Sequence, residues 1–289
     1  MTLNNLIDLH THTNISPDGV NTPEEMCERA MELGLSAYAI TDHCEVSTWF
    51  DEEYYDKIGA RKSDDPFVKY NYRDRFFTGI VYISRLKEKY DGRLNLLCGI
   101  ELGQATQGWD GAEEVAACKK LDFIIGSLHQ NRGEDDFGYL QYDNNNILQI
   151  NKLLYDYFNE MLEMCIWGKF DTLGHLTYPL RYISASGIDI QMNPYEDMII
   201  KIFTILIEKG KGIEINTSGL RQAYGKTFPD LYYVKLFRNL GGEILTLGSD
   251  SHCIADLGKG IFNGAEIAKE AGFRYITYFK NRKPEFIRL

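Results

Sequence analysis

The stretch LIDLHTHTNISPDG, Leu6–Gly19, places His10 and His12 one residue apart, directly after a short apolar run. Successive side chains of a β-strand point to opposite faces, so residues i and i+2 point to the same side. We therefore expect both imidazoles to reach inward from the end of a first strand. There they can chelate one metal ion.

Strand-length apolar runs alternate with helix-length amphipathic stretches along the chain. The strand-like runs are LIDLH, LSAYAIT, LNLLCGIE, LDFIIGSLH, DTLGH, KGIEINTS, GEILTLGSD and RYITYF. This alternation is typical of a parallel α/β sheet with crossover helices. Because 289 residues suffice for one α/β barrel and no tract reads as a linker, we predict a single domain, residues 1–289.

Every histidine of the chain follows one of these predicted strands. After the pair in the first run, the remaining four follow the second, fourth, fifth and seventh runs: His43, His129, His175 and His252. A single histidine at such a place could be an ordinary buried polar residue. Strand ends are a small minority of the chain, so that reading does not account for all six. In an α/β barrel these ends converge on one face, where such folds build their active sites.

Three carboxylates occupy matching places. Asp18 lies in the loop after the first strand, Glu101 ends LLCGIE, and Asp250 stands two residues before the last histidine. A set of histidines and carboxylates without cysteine suits Zn, Mn, Fe or Co and differs from a structural thiolate zinc site. The set exceeds what one ion can use, which predicts a multinuclear cluster with Glu101 as the bridge.

Composition narrows the partners and the location. The formal net charge is -11 and no Lys/Arg cluster stands out, so nucleic acid is not expected as a partner. The start MTLNNLIDLH lacks the layout of a signal peptide, and no apolar run is long enough to span a bilayer, so no membrane association is expected. The six scattered cysteines fit a reducing compartment, and we predict a cytoplasmic protein. The sequence leaves the oligomeric state open.

The motifs DLHTHT, TDH, GIE, SLH, GH and SDSH, in this order from Asp8 to His252, resemble those of the PHP (polymerase and histidinol phosphatase) superfamily. The length, the YISRLKEKY helix before CGIE, and GHLTYPLRY are most similar to the monofunctional histidinol-phosphate phosphatases. The resemblance implies a distorted (β/α)7 barrel with a trinuclear metal site at the C-terminal ends of the strands.

The resemblance also distributes the candidate ligands over three divalent ions, of which the metal type stays open. The first ion would take His10, His12, Glu101 and Asp250; the second Glu101, His129 and His175; the third Asp18, His43 and His252. Some members of the superfamily carry a histidine where Asp18 stands. This departure leaves the metal preference of the third position open.

Such a cluster suits hydrolysis of phosphate monoesters, because it lowers the pKa of a bound water and clamps the phosphoryl oxygens. Arg181 in GHLTYPLRY and Arg221 in EINTSGLRQ follow strand ends, and guanidinium forks match phosphate oxygens. We expect both to hold the substrate phosphate, with a surface salt bridge as the alternative for Arg221. Together with Glu101 and Asp250 they form the predicted catalytic set. Asp250 is expected to be a ligand, and a proton relay is its alternative role.

The predicted reaction is hydrolysis of L-histidinol phosphate, in histidine biosynthesis, by attack of a metal-bridging hydroxide. One alternative is a PHP phosphoesterase acting on a nucleotide, an oligonucleotide end or phosphotyrosine. A second is a non-catalytic metal-stabilised module.

Recognition of the substrate is expected from the long segment Cys44–Arg75. There Glu45 or Asp51 could meet an amine and Trp49 or Tyr54 could stack on an imidazole, or the segment could be a solvated surface loop.

Overall fold

The computed structural model describes residues 3–48, 72–143 and 146–289. The strands are β1 (Ile7–Asp8), β2 (Ala37–Ile40), β3 (His43–Glu45), β4 (Leu96–Gly103), β5 (Phe123–Ser127), β6 (Thr172–Leu173), β7 (Gly212–Asn216), β8 (Leu245–Gly248), β9 (Tyr275–Lys280) and β10 (Lys283–Arg288). The α-helices are α1 (Pro23–Leu33), α2 (Tyr72–Lys89), α3 (Trp109–Ala116), α4 (Ile147–Trp167), α5 (Leu180–Ala185), α6 (Glu196–Glu208), α7 (Leu231–Asn239) and α8 (Ile261–Glu270). Within the described ranges, no helix combines the length and apolar content that crossing a bilayer requires.

The main sheet is parallel throughout, in the order β1-β2-β4-β5-β6-β7-β8. The short β3 continues beside β4 where β2 has ended, so the two act as one interrupted strand. The two edges of the sheet meet beyond β1, because the amide of Leu9 donates to the carbonyl of Leu247 (2.9 Å) and Thr11 bridges Ser251. The result is a nearly closed, distorted barrel of seven strands with helices around it, which confirms the predicted fold class.

Helix α1 illustrates how local sequence positions the barrel. Thr22 and Glu25 form a capping box at its start, and Gly34, with φ of 71°, ends it. The apolar side chains of Met26, Cys27 and Ala30 lie on one face and are fully buried. Burial of a side chain as large as Met contributes roughly 1.5–3 kcal/mol. This burial packs the helix against the barrel beside β2.

The last predicted strand differs from the expectation of a parallel sheet. RYITYF forms β9, which pairs antiparallel with β10 in a separate two-stranded sheet. Asn281 and Arg282, both with positive φ, supply the tight turn between them. Arg282 pairs with Asp171 and donates its amide to the carbonyl of Asp122. The hairpin thus covers the end of the barrel opposite the histidines.

Candidate metal centre

The barrel brings the nine predicted ligands together at one end. His10 and His12 follow β1, with Asp18 in the next loop; His129 and His175 follow β5 and β6; Asp250 and His252 follow β8. Two candidates stand inside strands rather than after them. His43 opens β3 and Glu101 is the sixth residue of β4, because these two strands extend further toward this face.

The first group of ligands consists of His10, His12, Glu101 and Asp250. Oε2 of Glu101 lies 3.3 Å from Nε2 of His10 and 3.5 Å from Nε2 of His12. Oδ1 of Asp250 lies 3.4 Å from Nε2 of His12 and 3.9 Å from Nε2 of His10. Four ligands at tetrahedral Zn–N distances stand about 3.4 Å apart. The measured distances are close to this value, and His10, His12 and Asp250 offer three ligand atoms within 4.8 Å of one another. This spacing suits a divalent metal ion.

The second group consists of Glu101, His129 and His175. Oε1 of Glu101 lies 3.1 Å from Nε2 of His129 and 2.8 Å from Nε2 of His175, and the two nitrogens are 3.2 Å apart. Glu101 therefore turns one oxygen toward each group. This is the geometry that a bridging carboxylate requires.

The rim group consists of Asp18, His43 and His252. Oδ2 of Asp18 lies 3.5 Å from Nε2 of His43 and 3.1 Å from Nε2 of His252. The ring of His12 stacks on both imidazoles, with centroids 4.2 Å away in each case. The three residues of this group are thus held beside the first group but closer to solvent.

Three ligand atoms of the first group lack a well-formed hydrogen bond. Nε2 of His10, Nε2 of His12 and Oε2 of Glu101 are buried and make none among the described residues. The nearest polar atom to Oε2 of Glu101 is Nδ1 of His43, at 2.8 Å. Buried polar atoms are normally satisfied, because leaving one unpaired costs about 1–3 kcal/mol. A divalent cation would satisfy all three at once, so the residues present fit a metal ion.

The charge balance of the site supports the same reading. Five acidic residues surround the imidazoles: Asp18, Glu45, Glu101, Glu214 and Asp250. In the described part of the chain, Arg181 is the one lysine or arginine that forms an ion pair with any of them, through Asp250 at 2.7 Å. Buried charges are stable only when paired or bound to metal. The excess of negative charge therefore favours cations.

The protonation states of His12 and Glu101 favour metal binding. Burial, together with neighbouring His43 and His252, lowers the pKa of His12 well below its usual range. Burial opposes ionisation of Glu101, yet His10 and the other imidazoles hold the pKa of that carboxyl well below its usual range. At neutral pH both groups present unprotonated ligand atoms.

Asp42, in the TDH motif, fixes the loop that carries Asp18. Its carboxylate accepts hydrogen bonds from the amide (2.7 Å) and hydroxyl (2.8 Å) of Thr13 and from the hydroxyl of Ser16 (2.8 Å). The Ser16 hydroxyl in turn accepts from the amide of His43 (2.9 Å). The loop after β1 and the start of β3 are therefore tied together under the rim group.

The two predicted arginines both lie beside Asp250. Nη2 of Arg181, in α5, donates to Oδ2 of Asp250 (2.7 Å) and to the hydroxyl of Ser218 (2.8 Å). Nη2 of Arg221 donates to the carbonyls of Ser249 (2.9 Å) and Asp250 (3.3 Å). Nε of Arg221 lies 3.8 Å from Oδ2 of Asp256. This ion pair is longer than the two hydrogen bonds, so the main contacts of Arg221 are the backbone carbonyls.

Glu45 lies inside the site. Its Oε1 is 3.0 Å from Nδ1 of His129 and 3.5 Å from Nδ1 of His43. Asp51, Trp49 and Tyr54, named above as candidate recognition residues, lie outside the described residues.

Sequence reasoning missed one acidic residue of the site, Glu214 in β7. Oε1 of this side chain lies 2.7 Å from Nδ1 of His10, and the side chain is 1% exposed. The only available signal was a charged residue within the apolar run KGIEINTS.

Comparison with known proteins places the chain in a family. The model of the family described as PHP domain matches residues 8–218, more than half of the chain. The chain belongs to this family, as the motif resemblance predicted. Asp250 and His252 lie beyond the matched residues, yet β8 joins them to the same sheet.

Two curated relatives match this chain over nearly their full length. A protein of Thermotoga maritima named "Probable histidinol-phosphatase" is 31% identical over 272 residues, covering 94% of this chain and 95% of that protein. The histidinol-phosphatase of Lactococcus lactis is 22% identical, with coverage of 96% and 95%.

One solved structure supports the fold. It is the crystal structure of histidinol phosphate phosphatase from Lactococcus lactis complexed with zinc, L-histidinol and phosphate. Its TM-score is 0.70 at 20% identity, and the match covers 97% of this chain and 99% of that one. The agreement extends over the whole barrel.

Proposed function

We propose that this protein is a metal-dependent phosphatase that hydrolyses a small phosphate monoester, with L-histidinol phosphate as its substrate. The observation that carries the proposal is Glu101, whose two oxygens face the two histidine pairs. The names of the full-length relatives support the reaction and the substrate. The chain, residues 1–289, would act as one PHP phosphoesterase domain.

Three divalent ions would be held by the first group, the second group and the rim group. The imidazole and carboxylate donors suit Zn, Mn, Fe or Co. Ions bound there would supply a nucleophilic water at neutral pH and positive charge beside the phosphoryl oxygens. A formal charge of about +3 would result from three divalent ions and the three ligand carboxylates.

Arg181 and Arg221 would bind the substrate phosphate. Each guanidinium is anchored through Nη2, while Nε of Arg181 and Nη1 of Arg221 are buried without a hydrogen-bond partner among the described residues. The guanidinium of Arg181 also lies over the rings of Tyr178 and Phe228, at 4.9 and 5.5 Å. Arginines held in this way lose little freedom on binding an anion.

Asp250 would act as a ligand rather than as a proton relay. Burial raises the pKa of this carboxyl, but Arg181 and His10 outweigh burial and hold it well below its usual range. An acid of that kind stays ionised at neutral pH and retains no proton to pass to a leaving group.

Recognition of the amine stays a prediction. Oε2 of Glu45 is buried and has no hydrogen-bond partner among the described residues, so an acceptor is available beside His129. The cytoplasmic location and the place in histidine biosynthesis also stay predictions.

The test is phosphate release by metal-stripped protein reconstituted with Zn, Mn, Fe or Co. The substrates are L-histidinol phosphate, sugar phosphates, nucleotides and phosphotyrosine. Preference for L-histidinol phosphate is expected, and loss of activity in the Glu101→Gln variant ties it to the site. Glu160→Gln, which neutralises a buried glutamate that contacts none of the ligands, is the control.

Preference for another ester would show that L-histidinol phosphate is not the substrate. The proposed phosphatase reaction would still hold. Full activity of metal-stripped protein would contradict the reaction itself.

A further inference from the structure

β7 is the barrel strand that provides none of the proposed ligands, yet its polar side chains face the ligands. Glu214 and Asn216 stand at positions i and i+2 and therefore point to the same side of the strand. Both are buried, at 1% and 0% exposure. A charged side chain buried in the barrel interior is costly unless it has specific polar partners.

Glu214 contacts one residue of the first group, His10, and one residue of the second group, His175. Oε1 lies 2.7 Å from Nδ1 of His10, and Oε2 accepts the backbone amide of His175 at 3.0 Å. Oε2 also accepts from Nδ2 of Asn216 at 3.3 Å. One carboxylate thus touches a member of each group that Glu101 joins, on the side of His10 away from the ligand atom.

The contact with His10 decides which ring nitrogen carries the proton. A carboxylate can only accept, so Nδ1 of His10 is the donor. In the neutral ring, Nε2, which faces Glu101 and Asp250, then carries the lone pair that can bind a metal ion. Imidazole ligands are commonly oriented in this way by an acceptor on the other nitrogen.

The packing around this contact admits little else. A Cβ built on Gly248 would stand 2.2 Å from Oε1 of Glu214 and 2.4 Å from Cβ of His10. β7 and β8 pair in register at Asn216 and Gly248. Because Gly248 has no side chain, the carboxylate of Glu214 can occupy the space beside it.

Asn216 extends the support to a third ligand. Its Oδ1 accepts the amide (3.0 Å) and hydroxyl (2.6 Å) of Ser218, and that hydroxyl lies 3.2 Å from Oδ2 of Asp250.

We propose that Glu214 is a positioning residue of the metal centre, which sets the tautomer and orientation of His10 and the backbone of His175 so that both imidazoles are ready to bind metal. This inference rests on the proposed metal site and is independent of which phosphate ester is hydrolysed. Glu214 itself is not a ligand in this proposal, because it meets the nitrogen of His10 that points away from Glu101.

The variant Glu214→Gln tests the role. Glutamine has one acceptor oxygen, whereas Glu214 accepts from His10 through one oxygen and from His175 through the other. Either Nδ1–H of His10 or the amide of His175 therefore loses its acceptor. The affinity of the full-length protein for Zn²⁺ is measured by competition with a chromophoric chelator. The expected loss is about 10- to 100-fold. In the Co²⁺-loaded protein, the visible absorption bands should also change.

Glu160→Gln is the matched control. Glu160 is 7% exposed and, like Glu214, accepts a backbone amide, that of Arg132 at 2.7 Å. Both variants should lower the unfolding temperature of metal-free protein, but only Glu214→Gln should weaken Zn²⁺ binding. Equal Zn²⁺ affinity of wild type and Glu214→Gln would overturn this inference alone. Failure of wild-type protein to bind any of Zn²⁺, Mn²⁺, Fe²⁺ and Co²⁺ would overturn the proposed function together with it.

A second measurement needs no variant and applies if Glu214→Gln does not fold. In wild-type protein labelled with ¹⁵N-histidine and loaded with Zn²⁺, His10 should carry its proton on Nδ1. A proton on Nε2 of His10 would overturn the proposal.

Discussion

The two sides of the metal centre differ in burial. The first and second groups share Glu101, and none of their side chains exposes more than 8% of its surface. In the rim group, Asp18 is 56% exposed, His252 30% and His43 14%. Solvent would compete for a metal ion bound at the rim and hardly at all for ions bound around Glu101. If three ions bind as proposed, we expect the buried groups to keep their ions and the rim group to exchange its ion.

The largest effect is expected from Glu101→Gln. Glutamine keeps the shape, but it removes a negative charge and leaves only one oxygen to face two groups. Metal content after dialysis should fall on the buried side, and kcat should fall by at least about 100-fold. Plasma mass spectrometry and phosphate release measure the two effects. Retention of the wild-type metal content would break the comparison, because the buried groups would then not depend on their shared ligand.

Arg181→Ala should weaken substrate binding without removing metal. A charged hydrogen bond contributes about 1.5–3 kcal/mol, so kcat/KM should fall about 10- to 100-fold, mainly through KM. Arg132→Ala provides a control, since Arg132 is 56% exposed and pairs with Glu163. An unchanged KM for the phosphate ester would remove Arg181 from this role.

Substitutions of Asp18 address the rim alone. Asp18→Ala should lose one ion per chain while the ions around Glu101 stay, because neither buried group includes Asp18. Asp18→His keeps a ligand and should retain that ion with a changed metal preference. Titration with a chelator should remove the same ion first from wild-type protein. Simultaneous loss of all ions would show that the two sides are one cooperative unit.

Metal uptake on the buried side should release protons. Burial alone would lower the pKa of His129, but the carboxylates of Glu101 and Glu45 raise it to about 10. Nε2 must lose its proton to bind an ion, so apparent affinity should rise up to about tenfold per pH unit below that pKa. Calorimetry in two buffers of different ionisation enthalpy counts the protons. Glu45→Gln should reduce the number, and an unchanged count would exclude Glu45 as the cause.

Much of this site could be predicted without coordinates. The end of a parallel strand lies on a fixed face of a barrel, so a histidine there is placed by its strand alone. The i, i+2 pair of His10 and His12 needs only the period of a strand. The sequence does not predict the hairpin of β9 and β10, because an apolar run does not show which strand it will pair with.

The sequence by itself therefore determined the residue types and their common face, since both follow from local pattern. Only the tertiary structure decided which oxygen of Glu101 faces which histidines, and that the rim is open to solvent. It also decided the contact of Glu214 with His10, which joins residues 204 positions apart. That contact depends on closure of the barrel and on the register of β7 with β8, to which no local pattern refers.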